Sequence, residues 1–350
     1  MIEKVFYKIM DSLGPYKKKP HIAVAVSGGS DSLCLAILAK KWIDKKKGNL
    51  TALIVDHQLR KNSSKECVQT KKTLEEKNIL SHCFKWNLNN KPKNGIQEKA
   101  REFRYNVFED WCFKNKITNL LIAHHFEDQK ETLLMRLNDN SNVYGLACMP
   151  KIFFKKEMRI LRPLLNFKKK NITQYLKKEN IQWIEDPSNN STKYSRNIYR
   201  KEVLPKLFKK GLTDNKLKRI LESAQKERKK IEAKCSSWIN KNVVFNSLGY
   251  GSVNLKKLKL INKEDFVFIF SKILCIISGS NYVTKSKYIN NFYEKIKCNL
   301  TIHDINLGGC HIIFFKEKIY ICREIFKKNR KQNLNFQFNK IIWDNRFEIK

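Results

Sequence analysis

Apolar, β-rich runs alternate with amphipathic stretches through the first half of the chain, the pattern of a parallel sheet with helices packed on it. The runs predict strands over residues 21–26, 50–56, 80–86 and 119–123. Between the last two, Ile96, Ala100, Phe103, Val107 and Trp111 recur at helical spacing, which turns one helix face to the core and lets Arg101 and Arg104 leave from another. After Leu204-Pro205 the texture changes. Residues 214–241, rich in Lys and Glu, read as a solvent-laced helix, so a domain boundary is expected near Gly211, dividing the chain into 1–211 and 212–350. Further helices are expected over 264–278 and 285–297, followed by alternating runs that turn at Leu307-Gly308-Gly309 and at Lys316-Glu317-Lys318. The expected fold is α/β, a parallel-sheet domain followed by a smaller α+β region.

Composition changes the picture in one respect. The chain has 71 Lys plus Arg against 33 Asp plus Glu, a net charge of +38, yet 42% of it is hydrophobic and 11% aromatic, so it folds rather than behaving as a disordered polycation. Such an excess favours polyanionic partners, nucleic acid foremost, with a lysine-rich coding bias as the alternative. The first twenty residues carry neither a continuous apolar segment nor a cleavage site, and the start reads as cytoplasmic. The most apolar run, residues 266–277, is short of the ~20 residues a bilayer requires and contains Lys272; a buried helix and no membrane partner are expected. Ten cysteines occur without any C-x-x-C pair, which argues against a zinc knuckle, an iron–sulfur site or a disulfide framework and for reduced, mostly core thiols.

The strongest local signal is Ser27-Gly28-Gly29-Ser30-Asp31-Ser32, set between an apolar strand and an apolar-periodic stretch. Adjacent glycines let the backbone approach phosphate, consecutive N–H groups and the three hydroxyls donate to its oxygens, and the helix start adds a favourable dipole. No Gly-Lys-Ser/Thr follows, and G-x-G-x-x-G is absent, so this is neither a Walker loop nor a dinucleotide fingerprint. Asp31 beside phosphates makes sense as a ligand for bridging Mg²⁺. The alternative is an ordinary glycine turn capping a helix.

This loop resembles the PP-loop of the N-type ATP pyrophosphatases, which hold the β,γ-pyrophosphate of ATP and adenylate a carbonyl oxygen. Further motifs follow in order: Asp56-His57-Gln58-Leu59-Arg60, Ala100-Arg101, Arg104-Tyr105, His124-His125-Phe126-Glu127-Asp128, Glu131-Thr132, Arg162-Pro163-Leu164-Leu165, Asp186-Pro187-Ser188-Asn189, Arg196-Asn197 and Arg200. Together, over about residues 20–206, they resemble the tRNA(Ile)-lysidine synthetases. Beyond Gly211 the resemblance rests on Leu307-Gly308-Gly309 and Arg323-Glu324.

The resemblance implies a cytoplasmic ligase that joins free L-lysine to C2 of the wobble cytidine of a tRNA(Ile) with a CAU anticodon. It implies ATP as co-substrate, Mg²⁺, an adenylated intermediate, a C-terminal tRNA-binding region and a homodimer. Residues 27–32 would bind ATP, and Asp31 and Asp128 the metal. Arg104, His124 and Arg196 would contact the activated cytosine or the α-phosphate, and His57, Arg60, Arg101, Glu131 and Arg200 the lysine or tRNA. Structural alternatives stand beside these: His124 and His125 as a strand-end pair satisfied by backbone, Arg101 and Arg104 in surface ion pairs. Where the family has two aspartates this chain has Glu127-Asp128, and where it has a glycine-containing loop this chain reads Asn138 to Tyr144. The chain ends at Lys350, where longer members continue, so a shortened C-terminus is expected. Competing functions are a tRNA thiolase of the same superfamily and a non-catalytic RNA-binding protein with a vestigial nucleotide site.

Overall fold

A computed structural model describes residues 2–59, 62–86, 95–155, 158–185, 198–280, 284–298 and 304–324, with the backbone of 341–343 and 347–349. The chain divides into two compact units, Met1–Gln225 and Lys226–Lys350.

The first unit is built on a six-stranded sheet. Its elements are α1 (Ile2–Ser12), β1 (His21–Val26), α2 (Ser30–Lys45), β2 (Asn49–Asp56), α3 (Ser63–Glu75), β3 (Leu80–Lys85), α4 (Ile96–Lys114) and β4 (Asn119–Leu121), then α5 (Phe126–Asn138), α6 (Val143–Leu146), β5 (Ile152–Lys155), β6 (Met158–Leu161) and α7 (Lys169–Lys178). A π-helical turn, Tyr199–Val203, leads into α8 (Leu204–Lys209). The strand order is β3-β2-β1-β4-β6-β5, parallel throughout except for β5, which pairs antiparallel with β6 at one edge.

Period-two alternation distributes β1 between two cores. Ile22, Val24 and Val26 point to the face covered by α1, α2 and α7, where they meet Phe6, Leu35, Trp42 and Ile172. Ala23 points to the opposite face with Leu53, Phe108, Cys112 and Met158. Burial on both faces explains why β1 reads as a continuous apolar run. Because β1 is flanked by β2 on one side and β4 on the other, successive crossovers leave it in opposite directions, and the crevice beyond its C-terminal end is where such sheets bind ligands.

A long helix, α9 (Asp214–Asn242), starts in the first unit, where Leu217 and Leu221 pack with Phe126, Leu133, Leu134 and Leu204. The division of the chain therefore falls inside this helix; Gly211 is the left-handed turn (φ +86°) between α8 and α9.

The second unit contains β7 (Val243–Phe245), β8 (Gly251–Asn254), α10 (Leu255–Lys259), α11 (Lys263–Ser278), α12 (Ser286–Lys297), β9 (Ile305–Leu307), β10 (Cys310–Phe315) and β11 (Lys318–Arg323). The strands form an antiparallel sheet in the order β7-β8-β11-β10-β9, and a separate pair, β12 (Ile341–Trp343) and β13 (Phe347–Ile349), follows. Both expected turns are present, Gly308-Gly309 between β9 and β10 and Lys316-Glu317 between β10 and β11. The expected buried helix is α11; its Phe266 and Phe270 stack with ring centroids 5.1 Å apart at the centre of this core. No described helix is long and apolar enough to cross a membrane.

One expectation is corrected. Among the described residues none of the ten cysteines is in a disulfide, but only Cys34, Cys112, Cys235 and Cys310 are buried, while Cys83 and Cys298 are exposed. Cys83 is exposed because β3 is an edge strand with little packed on it.

Candidate active site

At the end of β1 the backbone turns through Ser27, Gly28 and Gly29 into α2, whose first N–H groups have no partner within the helix. Gly28 has φ +82°, and a Cβ there would overlap Thr70 Oγ1 of α3 and come within 2.9 Å of Ile184 Cδ1. The Ile184 N–H donates to the Gly28 carbonyl at 3.0 Å. Glycine is thus required both by the left-handed backbone and by the closeness of two walls. Inside the loop, the Ser27 N–H donates to Ser32 Oγ at 3.1 Å and the Ser32 hydroxyl donates to the Gly29 carbonyl at 3.0 Å. Ser32 shapes the loop, its Oγ also lying 3.3 Å from the Ser27 hydroxyl, and the helix start is left to meet an anion.

Lys169, the first residue of α7, reaches this loop. Its Nζ donates to Ser30 Oγ at 2.8 Å and to the two Asp31 oxygens at 2.6 and 2.7 Å. Its backbone N–H donates to Glu127 Oε2 at 2.9 Å, so one residue ties the phosphate loop to α5. His125, at the N-cap of α5, is buried among carboxylates: Nε2 is 3.5 Å from Asp31 and 3.7 Å from Asp128, and Nδ1 is 3.0 Å from Glu127. Its backbone N–H donates to Asp128 Oδ2 at 2.9 Å, which fixes the aspartate at the helix start.

The electrostatics follow from this crowding. Burial alone would depress the His125 imidazole, but hydrogen bonds to Asp31 and Glu127 and the charge of Asp128 push it up to about 10. Burial raises Asp31, yet the bonds and charges of His125 and Lys169 hold it below the ordinary carboxylate value. Glu127 is held low in the same way, against burial, by His125 and the Lys169 N–H. Lys130 adds a further cation 3.7 Å from Glu127 and 3.0 Å from Asp214. The glutamate at position 127 is thus engaged on three sides, which its longer arm permits.

Deeper in α5, Glu131 is 1% exposed and accepts a 2.6 Å bond from Arg200 Nε, on the π-helical turn. Arg200 also feels the charges of Asp128 and Asp31, which places it beside the same cluster; burial opposes but Glu131 outweighs it, and its guanidinium is held above its ordinary value. In this structure Glu131 positions Arg200.

A second cluster adjoins through His124. Arg162 Nε–H donates to His124 Nδ1 at 3.2 Å and its Nη1 to the Pro150 carbonyl at 2.9 Å. With Nδ1 accepting, the neutral His124 ring carries its proton on Nε2. On α4, the Arg101 and Arg104 guanidinium carbons lie 5.1 and 5.9 Å from the Tyr105 ring centroid. Burial and the neighbouring Arg101 charge lower Arg104. His57, after β2, is lowered by burial and by the Arg104 charge; it meets Trp86 edge-on at 5.8 Å, and Trp86 stacks on Phe103 at 5.6 Å. His57 Nδ1 is buried with no hydrogen-bond partner among the described residues.

The structure therefore brings together Asp31, Asp128, Glu131 and Arg200 around the loop, and His57, Arg101 and Arg104 in the arginine and aromatic cluster, with His124 adjoining them. Arg60, Arg196 and the Asp186-Pro187-Ser188-Asn189 segment lie outside the described residues. In the loop expected to depart from the family pattern, Asn140 takes a left-handed conformation (φ +48°) and Asn142 accepts from the Gly145 N–H to cap α6, so asparagines take up the turning. Sequence reasoning missed Lys169 and the roles of Arg162 and Trp86. Lys169 sits in the run Lys168-Lys169-Lys170, indistinguishable by pattern from a solvated face. In the second unit, the Leu307-Gly308-Gly309 turn and Arg323 line one cavity of about 680 Å³, with Ser278, Thr284, Lys285 and Tyr288 opposite.

A phosphate loop at the switch point of a parallel sheet, with carboxylates and a lysine converging on it, defines a nucleotide-using enzyme of the PP-loop class. The family description "PP-loop domain" matches residues 1–207. Over 99% of its length the chain is 31% identical to the tRNA(Ile)-lysidine synthase of Orientia tsutsugamushi (strain Boryong), covering 79% of that protein. It is 32% identical to that of Rickettsia felis, over all of this chain and 80% of the relative, and 33% identical to that of Wolbachia pipientis wMel, over 99% and 80%. The chain belongs to the tRNA(Ile)-lysidine synthase family. Among solved structures it shares its fold with the U34-tRNA thiolase NcsA from Methanococcus maripaludis, with TM-score 0.54 and 17% identity over 65% of this chain and 78% of that one.

Proposed function

We propose that this chain ligates L-lysine to C2 of the wobble cytidine in tRNA(Ile) bearing a CAU anticodon, with ATP converted to AMP and pyrophosphate. The observation that carries the reading is the adjacency of the two clusters: a phosphate loop bonded through Lys169 and His125 to α5, and an arginine and histidine group beginning one residue earlier, at His124.

The chemistry follows from what each cluster offers. An oxygen on the cytosine ring is a poor leaving group. Holding the β,γ-phosphates in residues 27–32 turns the α-phosphorus outward; cytosine O2 attacks it, the bond to the β-phosphate oxygen breaks, and pyrophosphate leaves. The lysine ε-amine then attacks C2, its proton is lost, and AMP departs with the former O2. Ser27, Ser30, Lys169 and the α2 N-terminus stabilise the charge on pyrophosphate. Arg104, His124 and Arg162 face the adenylated base, where fixed donors and positive charge favour the activated state over the free base.

Mg²⁺ fits the donors present. Asp31 and Asp128 lie 3.5 and 3.7 Å from one His125 Nε2, so the two carboxylates gather around a single cationic group, and all-oxygen donors suit a hard ion. Among the described residues no three His, Cys, Asp or Glu side chains are grouped to hold a metal by themselves. An ion here would draw its remaining ligands from ATP and water, as Mg²⁺ commonly does, and when bound it supplies charge neutralisation between phosphates. In the second unit the Lys285 and Arg323 cavity supplies a phosphate contact for tRNA, in line with the net charge of +38. The setting of this reaction is the cytoplasm.

Incubation with ATP, labelled lysine and a CAU tRNA(Ile) transcript tests the reading: label enters the tRNA with one AMP and one pyrophosphate per lysine. Sulfur transfer, or binding without incorporation, overturns it. Asp31→Asn is expected to abolish incorporation while leaving tRNA binding nearly intact.

A further inference from the structure

Two thiols outside the active site face each other. Cys67 on α3 and Cys83 on β3 bring their Sγ atoms to 2.9 Å, Cys83 exposed and Cys67 half-buried. Neither belongs to the chemistry derived above. On α3, Cys67 lies between two contacts that do bear on the site. Ser64 Oγ–H donates to Asp56 Oδ2 at 2.7 Å, at the end of β2, and Thr70 abuts Gly28 of the phosphate loop. The helix is thus a wall of the loop, and the cysteine sits between its two points of attachment.

We propose that Cys67 and Cys83 are a modification site, closing to a reversible disulfide that fastens α3 to edge strand β3 and so stiffens the wall of the phosphate loop. The sulfurs need to approach by only about 0.9 Å to reach bonding distance. The oxidant is a low-molecular-weight disulfide, RSSR. The Cys83 thiolate attacks one of its sulfurs, expelling RS⁻ and forming a mixed disulfide; the Cys67 thiolate then attacks the Cys83 sulfur and expels the second RS⁻. Two protein thiols are oxidised, one RSSR is reduced, and two protons are released to the two RSH formed. Cys83 is the point of entry because it faces solvent, whereas burial and the adjoining Cys83 push the Cys67 thiol up. A dithiol pair of this kind stays reduced in a reducing cytosol and responds when the thiol pool is oxidised.

The test treats the full chain with glutathione disulfide and reads four quantities. Free thiols fall from ten to eight per chain, and tryptic digestion yields a peptide pair linked through Cys67 and Cys83. The melting temperature rises by roughly 5–10 °C, the effect of closing so short a loop, and dithiothreitol reverses it. ATP affinity by equilibrium binding, which rests only on membership of the PP-loop class, rises a few-fold as the wall loses freedom. C67S and C83S each abolish the linked peptide pair, the rise in melting temperature and the gain in ATP affinity, with C67S halting at a mixed disulfide on Cys83. Ten thiols remaining, two separate glutathione adducts, or linkage to another cysteine overturns the site. A linked pair with unchanged ATP affinity overturns its coupling to the loop.

Discussion

His125 is a buried cation within 3.0–3.7 Å of three carboxylates, Asp31, Glu127 and Asp128, so replacing it with glutamine removes a charge while keeping a side chain of similar reach. Its imidazole stands at about 10 against an ordinary 6.5, because the bonds to Asp31 and Glu127 and the Asp128 charge outweigh burial. At about 1.4 kcal/mol per pH unit that difference is roughly 4–5 kcal/mol of folded-state stability, and with the side chain 6% exposed little of it is lost to screening. The sign is set by the direction: a group raised on folding contributes fully below pH 6.5, and the contribution fades as pH rises toward 10. Urea unfolding between pH 6 and 10, with chelator present, measures it. The native chain's stability relative to His125→Gln should fall across that interval, with the gap between the two curves levelling off near pH 10. A gap between the curves that stays constant from pH 6.5 to 10 would refute the reasoning, since the imidazole would then carry no extra proton in the folded state.

Gly28→Ala should abolish ATP-dependent incorporation and lower stability by about 1–2 kcal/mol or more, because a Cβ meets both Thr70 and a left-handed backbone; an active variant would show that the loop has another conformation. Lys169→Met should cost under ~1 kcal/mol of stability, its side chain being 40% exposed, yet weaken ATP binding by about ten- to a hundredfold through lost charge-assisted bonds. Unchanged ATP affinity in calorimetry would detach Lys169 from the phosphates. Replacing Lys285 and Arg323 together with alanine should reduce the salt dependence of tRNA affinity by roughly 1.5 in log–log slope, with ATP binding untouched; an unaltered slope removes that cavity from the RNA surface.

The centre of the first unit's sheet was legible because β1, β2 and β4 are buried on both faces. The expected strand at 21–26 is β1 as observed, and those at 50–56, 80–86 and 119–123 differ from β2, β3 and β4 by one or two terminal residues. The helix carrying Arg101 and Arg104 was equally clear, since its apolar spacing survives a polar surround. The β5 and β6 hairpin was not, because four-residue strands give too few periods to rise above the lysines beside them. For the site, glycines, acids and histidines announce themselves by type and order. Lys169 does not. Its role arises from α7 being carried back across the sheet to the loop, a contact 138 positions apart along the chain that no local pattern encodes. The same holds for Arg162, whose bond to His124 spans 38 positions.

Among the described residues the sheet of the first unit ends in β3 on one side and β5 on the other. Open edges offer unpaired backbone to neighbouring chains, and Leu80 on β3 and Phe154 on β5 are exposed there. Lys85 on β3 and Lys151 just before β5 are also exposed, and each would have to be desolvated beside its own counterpart if two copies paired edge to edge. The net charge of +38 therefore has a colloidal consequence: it sets copies of the chain repelling one another and opposes pairing through these strands.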